Sequence, residues 1–329
     1  MVKISESHRN DLEIAARGAV VAGGFTAMGY YRGALAIPTV LEKNLSPSTL
    51  ADVQATLAIL RSLDPAIDHI AGKMNLGFSL FAEELEKESA VNADDEIEER
   101  IKEILEPMGR ISTHIKRTTE DFRDSFETCI AILFDALDGT TNFRAGIPLF
   151  CSAIAFFISG LPRVGAIYDP LHNVVYYGSL HDETSVEDRA YAWQVQAGNV
   201  SNLTSIKQTE SPKRLIATHL TRSKEDKRNE MMTKLSALSA SSEGTYMINS
   251  GQLALAYVAT GNLSAFINNY TNIWDVAAGE VLIRAAGGKV TDFVGKDIDY
   301  RSGTKVDIVA SSNEALHEEI LMILRGRGD

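Results

Sequence analysis

The chain of 329 residues contains only two cysteines, Cys129 and Cys151. Two thiols cannot build a disulfide framework or a thiolate zinc site. Both read as small buried residues of strands, which fits a reducing cytoplasm. Cationic residues are also short: 32 Lys and Arg stand against 44 Asp and Glu, a net charge of −12. That balance argues against nucleic acid as a partner, because non-specific binding needs a cationic surface. It leaves a small anionic substrate open, since a bound metal inverts the local field. Met1 to Glu13 is polar and charged, so no signal peptide is expected there. Ile14 to Tyr31 is more apolar but carries Arg17 and four glycines, so it predicts a core helix running into a Gly-rich turn, with no membrane span. Internal repeats and low-complexity tracts are absent as well. What remains is 45% hydrophobic and 23% charged, enough for one large or two modest domains with real cores.

The chain is organised around Ile130 to Gly146. Ile-Ala-Ile-Leu-Phe predicts a buried strand. Asp135 and Asp138 follow, and then Gly139, Thr140 and Thr141. Carboxylate oxygens at a strand end suit a hard cation such as Mg²⁺. Free N–H groups at a helix start suit phosphate.

Before this stretch, Leu12, Ala15, Ala16, Ala19 and Val20 share one helical face. A second helix is expected over 48–63, started by Ser46-Pro47-Ser48 and stopped by Asp64-Pro65. Phe78 to Phe81 leads into Ala82-Glu83-Glu84. The charged segment from Glu86 to Asp124 reads as an insertion, either a solvated connector or a lid. Its apolar stripe of Ile97, Ile101, Ile104 and Leu105 predicts a surface helix ending before Pro107.

After the central turn, strands are expected over 152–158, 163–168 and 174–177, an antiparallel set punctuated by Gly160-Leu-Pro162 and Asp169 to Asn173. From about Ser201 an alternating α/β rhythm takes over. Strands are expected over 214–219, 245–248, 263–268, 289–293 and 306–310, and helices over 224–238, 252–259, 274–286 and 313–324. Two halves result, 1–195 carrying the central turn and 196–329 carrying Asp275.

Each acid alone has a plainer reading. Asp138 and Asp275 can be helix caps, and Glu83 one more charge in Glu83-Glu84-Leu-Glu-Lys-Glu. Together they form a pattern. Asp135-Ala-Leu-Asp138-Gly-Thr-Thr-Asn-Phe143 resembles the first signature of the inositol monophosphatase family. Trp274-Asp275-Val-Ala-Ala-Gly279 with Ala286-Gly-Gly288 resembles the second. Glu83-Glu84 and Tyr168-Asp-Pro-Leu171 are similar to further family segments.

The resemblance implies a layered α/β/α/β/α fold and a Mg²⁺-dependent, lithium-sensitive phosphomonoesterase, commonly dimeric, acting on a small phosphorylated metabolite. By position it implies metal ligation by Glu83, Asp135, Asp138, Asp275 and the carbonyl of Leu137. Thr140 would position the attacking water and pair with Asp52. Gly139 and Thr140 would cradle phosphate through their N–H groups. Asp138, Asp275 and Asn268 would face the substrate. Two departures stand out: Ala136 replaces the usual proline, and Asn268 replaces a glutamate that contacts inositol hydroxyls. The longer segment between Glu84 and Asp135 is seen in relatives acting on phosphoadenosine phosphate or inositol polyphosphates; fructose bisphosphate is a further alternative.

Two other readings compete. A haloacid-dehalogenase-type phosphatase also runs from a strand into Asp, Gly and Thr. Its two acids are separated by one residue, whereas Asp135 and Asp138 have Ala136 and Leu137 between them. A non-catalytic regulatory protein on the same fold is the second, and the survival of all four acids counts against it. None of the seven histidines lies in a phosphoryl-transfer motif, so each reads as surface or packing.

Overall fold

The computed structural model describes residues 5–33, 47–74, 76–83, 111–116, 118–180, 191–196, 199–202, 214–220 and 224–326. Two helices open the chain. α1 spans Glu6–Tyr30, capped by Ser5, and α2 spans Pro47–Met74. The expected stop at Asp64-Pro65 does not occur, and α2 runs through Pro65. Proline removes the hydrogen bond to the fourth preceding carbonyl, at a cost of about 3 kcal/mol. Ile67 and Ile70 continue the apolar face beyond it and are buried, which offsets that cost.

A seven-stranded sheet follows. Its strands are β1 (Gly77–Ala82), β2 (Cys129–Asp138), β3 (Cys151–Ile158), β4 (Leu161–Asp169), β5 (Val174–Ser179), β6 (Tyr191–Gln196) and β7 (Asn199–Asn202), in that spatial order. β1 runs parallel to β2, and the other pairs are antiparallel. β6 and β7 went unread in the sequence because Gln194, Gln196, Asn199 and Asn202 mask any apolar alternation. Between β1 and β2 lies α3 (Thr119–Asp124). The surface helix expected before Pro107 falls outside the described residues. The described end of that charged segment is no loose connector, because Ile111 and Phe122 are buried and Leu80 bridges Ile115.

The second sheet has five strands in the order β11-β12-β10-β8-β9. These are β8 (Leu215–Thr218), β9 (Gly244–Met247), β10 (Ala265–Asn272), β11 (Lys289–Thr291) and β12 (Lys305–Ser311). The helices between them are α5 (Glu225–Ser239), α6 (Gly251–Ala259), α7 (Ala277–Ala285) and α8 (Glu314–Leu324), and α4 (Thr140–Ala145) follows β2.

Strand alternation sets the layers. On β3, Ile154 and Phe156 pack with α1 and α2, whereas Ala153, Ala155 and Phe157 pack with α6 and α7. Phe266, Ile308 and Ala310 of the second sheet meet the same α6–α7 layer. Its other face, Ile216, Ile267 and Val309, packs on Met231 and Leu235 of α5 and Ile320 and Leu321 of α8. The result is the five-layer α/β/α/β/α sandwich. Among the described residues, no helix is long and apolar enough to cross a membrane.

Candidate active site

Three carboxylates converge: Glu83, Asp135 and Asp275 each offer an oxygen, and these oxygens lie within 4.8 Å of one another. The fold explains how. β1 and β2 are parallel, with Ala82 opposite Phe134, so the next residues, Glu83 and Asp135, leave the same end of the sheet side by side. Ligand sites gather at the carboxyl ends of parallel strands for this reason.

Asp135 and Asp138 are three apart, which in a regular strand would place them on opposite faces. The β2–β3 register shifts between them: Asp135 opposes Ala153 and Asp138 opposes Cys151. That one-residue bulge brings both carboxylates to the same face. Leu137 N–H donates to Asp135 Oδ1 at 2.9 Å and stabilises the bulge.

Gly139 then turns the chain with φ 93°, and a Cβ there would meet the Leu149 carbonyl at 2.8 Å. Only glycine fits this corner. It starts α4, whose first-turn N–H groups find no partner within the helix. Thr140 Oγ1 donates to the Leu137 carbonyl at 3.0 Å. Asp52, the partner expected for Thr140, is buried on α2.

Asp138 sits beside the three-acid cluster and is fixed from across the molecule. Its Oδ2 accepts from Ser250 Oγ and from Gln252 N–H, both at 2.7 Å, and Oδ1 accepts from Gly251 N–H at 3.3 Å. It caps the start of α6, a cap as foreseen but on a helix distant in sequence. Gln252 also donates to the Trp274 carbonyl at 2.6 Å and accepts from Gly279 N–H at 2.8 Å. Gln252 thus ties the two signature segments together, its backbone N–H bonding the first and its side-chain amide the second.

The helix expected over 274–286 is broken. Ile273–Asp275 is a 3₁₀ turn, Val276 departs from helical geometry, and α7 starts after it. The break aims Asp275 back at Asn272, whose N–H donates to Asp275 Oδ2 at 3.3 Å and whose Nδ2 donates to it at 3.2 Å. Thr271 Oγ1 adds a bond at 3.3 Å.

Burial raises the Asp138 pKa to about 6, with the Asp275 charge adding to the rise and the Ser250 and Gln252 bonds opposing it. Burial also raises Asp275 to about 6, against the pull of Lys305 and of the Asn272 bonds. Crowded carboxylates that resist ionisation are what a cation would relieve. An all-oxygen donor set fits a hard divalent ion.

Asn268 lies on β10, buried, with Nδ2 3.5 Å from His219 Nδ1. His219 escaped the sequence reading because it lies in no motif. Burial lowers its pKa, partly countered by the nearby Asp138 charge. Ser250 was missed for the same reason: only the fold brings it to Asp138.

The family model for the inositol monophosphatase family matches residues 56–328. Inositol-1-monophosphatase from Caulobacter vibrioides is 31% identical over 194 residues, covering 59% of this chain and 70% of that protein. Nus factor SuhB from Xylella fastidiosa is 29% identical over 188 residues, 56% of this chain and 64% of that protein. Inositol-1-monophosphatase from Mesorhizobium japonicum is 31% identical over 193 residues, 59% of this chain and 66% of that protein, so the match spans just under two thirds of these last two relatives. Among solved structures, an inositol monophosphatase from Zymomonas mobilis superposes with a TM-score of 0.65 at 18% identity, covering 98% of this chain and 100% of that one. One from Anabaena gives 0.62 at 20% identity, covering 96% of each chain. The five-layer sandwich is therefore the fold of these solved inositol monophosphatases. The chain belongs to the inositol monophosphatase family.

Proposed function

We propose that this protein hydrolyses a small phosphate monoester using Mg²⁺ held by Glu83, Asp135 and Asp275. The observation that carries the reading is the convergence of those three carboxylates within 4.8 Å at the end of parallel strands. A bound divalent ion supplies a nucleophilic water at neutral pH and neutralises charge on the phosphoryl group. The chain does the rest. Leu137 and Asp138 complete the ligand set. The N–H groups of Gly139 and Thr140 hold phosphate oxygens. The Thr140 hydroxyl orients the water, and Asp138 and Asn268 face the leaving group. The half 1–195 brings Glu83 and the Asp135–Thr140 turn, and the half 196–329 brings Asp275 and the substrate wall. Inhibition by Li⁺, a cytoplasmic setting and homodimeric assembly belong to the same proposal, on family resemblance.

A second reading is a regulatory role without catalysis, favoured by relatives that carry the name Nus factor SuhB. The retained acids weigh against it. Phosphate release from inositol monophosphate, fructose bisphosphate and phosphoadenosine phosphate, with Mg²⁺ and with excess chelator, separates the two. Turnover that chelator abolishes supports catalysis by the cluster. Turnover that survives chelation overturns the metal mechanism, and no release from any of them favours the regulatory role.

A further inference from the structure

The segment between β11 and β12, residues 292–304, reaches the Asp275 turn from both sides. On the chain before Asp275, the Thr304 carbonyl accepts the Ile273 N–H at 3.0 Å, and Lys305, the next residue, donates to Asn272 Oδ1. On the chain after it, the Tyr300 hydroxyl donates to Glu280 Oε2 at 2.5 Å. Glu280 lies in the first turn of α7, and its N–H donates to the carbonyl of Val276, the residue that follows Asp275. The segment is also anchored to the first sheet. The Tyr300 ring meets Phe157 of β3 edge-on, with centroids 5.1 Å apart. Arg301 pairs with Glu127, just before β2, at 2.6 Å and donates to the Ser159 carbonyl at 2.9 Å.

Glu280 is a costly place for a carboxylate, because it is buried. Arg284 Nε donates to its Oε1 at 2.7 Å, and Tyr300 bonds its other oxygen. Arg284 in turn donates to the Val290 carbonyl at 2.7 Å and to Asp297 Oδ1 at 2.9 Å. A buried ion pair of this kind is seldom more stabilising than apolar side chains of the same volume. A satisfied polar network instead supplies direction: it admits one arrangement where apolar packing tolerates a slide or a rotation of the helix. α7 starts immediately after the break at Val276, so a rotation of its first turn is passed to Asp275.

We propose that Tyr300 and Glu280 are positioning residues for Asp275. The segment 292–304 is a clamp that holds the Asp275 carboxylate against Glu83 and Asp135, and Arg301 ties the clamp to the sheet that carries those two acids. Tyr300 and Glu280 act through Asp275, so they set the affinity of the cation site from outside it. The assignment rests on the reading of Asp275 as a metal ligand.

The test makes two measurements on chelator-treated wild type, Tyr300→Phe, Glu280→Gln and Leu235→Ala: hydrogen exchange of the amides 272–279, and Mn²⁺ binding followed by electron paramagnetic resonance. Leu235 packs on the far face of the second sheet, so its variant controls for stability lost away from the clamp. Tyr300→Phe and Glu280→Gln are expected to speed exchange over 272–279 and to weaken Mn²⁺ binding about three- to tenfold, less than the loss of a group bonded directly to a metal ligand. Leu235→Ala is expected to lower the urea midpoint and to leave both readouts near wild type. Exchange that both clamp variants leave unchanged overturns the proposal. So does Mn²⁺ binding in wild type that both variants leave unchanged, or an equal effect of Leu235→Ala. Faster exchange in the clamp variants, with no Mn²⁺ site in wild type, supports the clamp and refutes the metal reading.

Discussion

At the scale of single residues, burial holds two acids of the site above the ordinary carboxylate range. In the metal-free protein Asp138 and Asp275 have pKa values raised from 3.8 to about 6. A carboxyl whose folded pKa lies above its unfolded value gives stability that is full below the unfolded pKa and is lost as pH rises through the folded one. Between pH 4 and 7 these two groups should therefore make the chelator-treated protein progressively less stable. Asp275→Asn should flatten that slope, and added Mg²⁺ should restore stability most at the higher pH. Denaturant midpoints across this range check it; an identical slope in wild type and Asp275→Asn refutes it. Thr140 is a different case. Its hydroxyl already has a partner in Leu137, so it need not contribute to substrate affinity. Thr140→Ala should lower kcat by about 10²-fold with KM little changed, since orientation of the attacking water matters mainly at the transition state. Steady-state kinetics decide, and a raised KM with unchanged kcat contradicts the role.

At the scale of elements, close helix contact carries the geometry. A Cβ on Gly279 of α7 would lie 2.3 Å from Leu255 Cβ on α6. These two helices carry Gln252, which hydrogen-bonds both Asp138 and the Trp274 carbonyl. Gly279→Ala should cost about 1–3 kcal/mol through overpacking. It should also weaken metal binding, because the helix that follows Asp275 is displaced. Urea unfolding with a metal titration checks both effects. The elements themselves were mostly legible in the sequence. The apolar run before Asp135 and the α/β rhythm after Ser201 follow from local periodicity, which burial then rewards. Where the reading failed, a non-local term prevailed. α2 passes through Pro65 because Ile67 and Ile70 are buried beyond it. The helix expected over 274–286 breaks because Asn272 and Asp275 cap each other. The acids of the site were legible because they lie in short motifs. Ser250 was not, since it reaches Asp138 across 112 residues of sequence.

At the scale of the whole molecule, two sheets and three helix layers serve to bring β1, β2 and the turn before α7 to one place. Each contributes one carboxylate, and no single element could hold a divalent ion. The proposed chemistry stands on Glu83, Asp135 and Asp275 forming one metal site. Its most direct test is Mn²⁺ titration of chelator-treated protein, followed by electron paramagnetic resonance, for wild type, Glu83→Gln, Asp135→Asn and Asp275→Asn. A tight site is expected in wild type, weakened about tenfold or more by each substitution, with the fold retained by circular dichroism. Equal Mn²⁺ affinity in wild type and all three variants would contradict it.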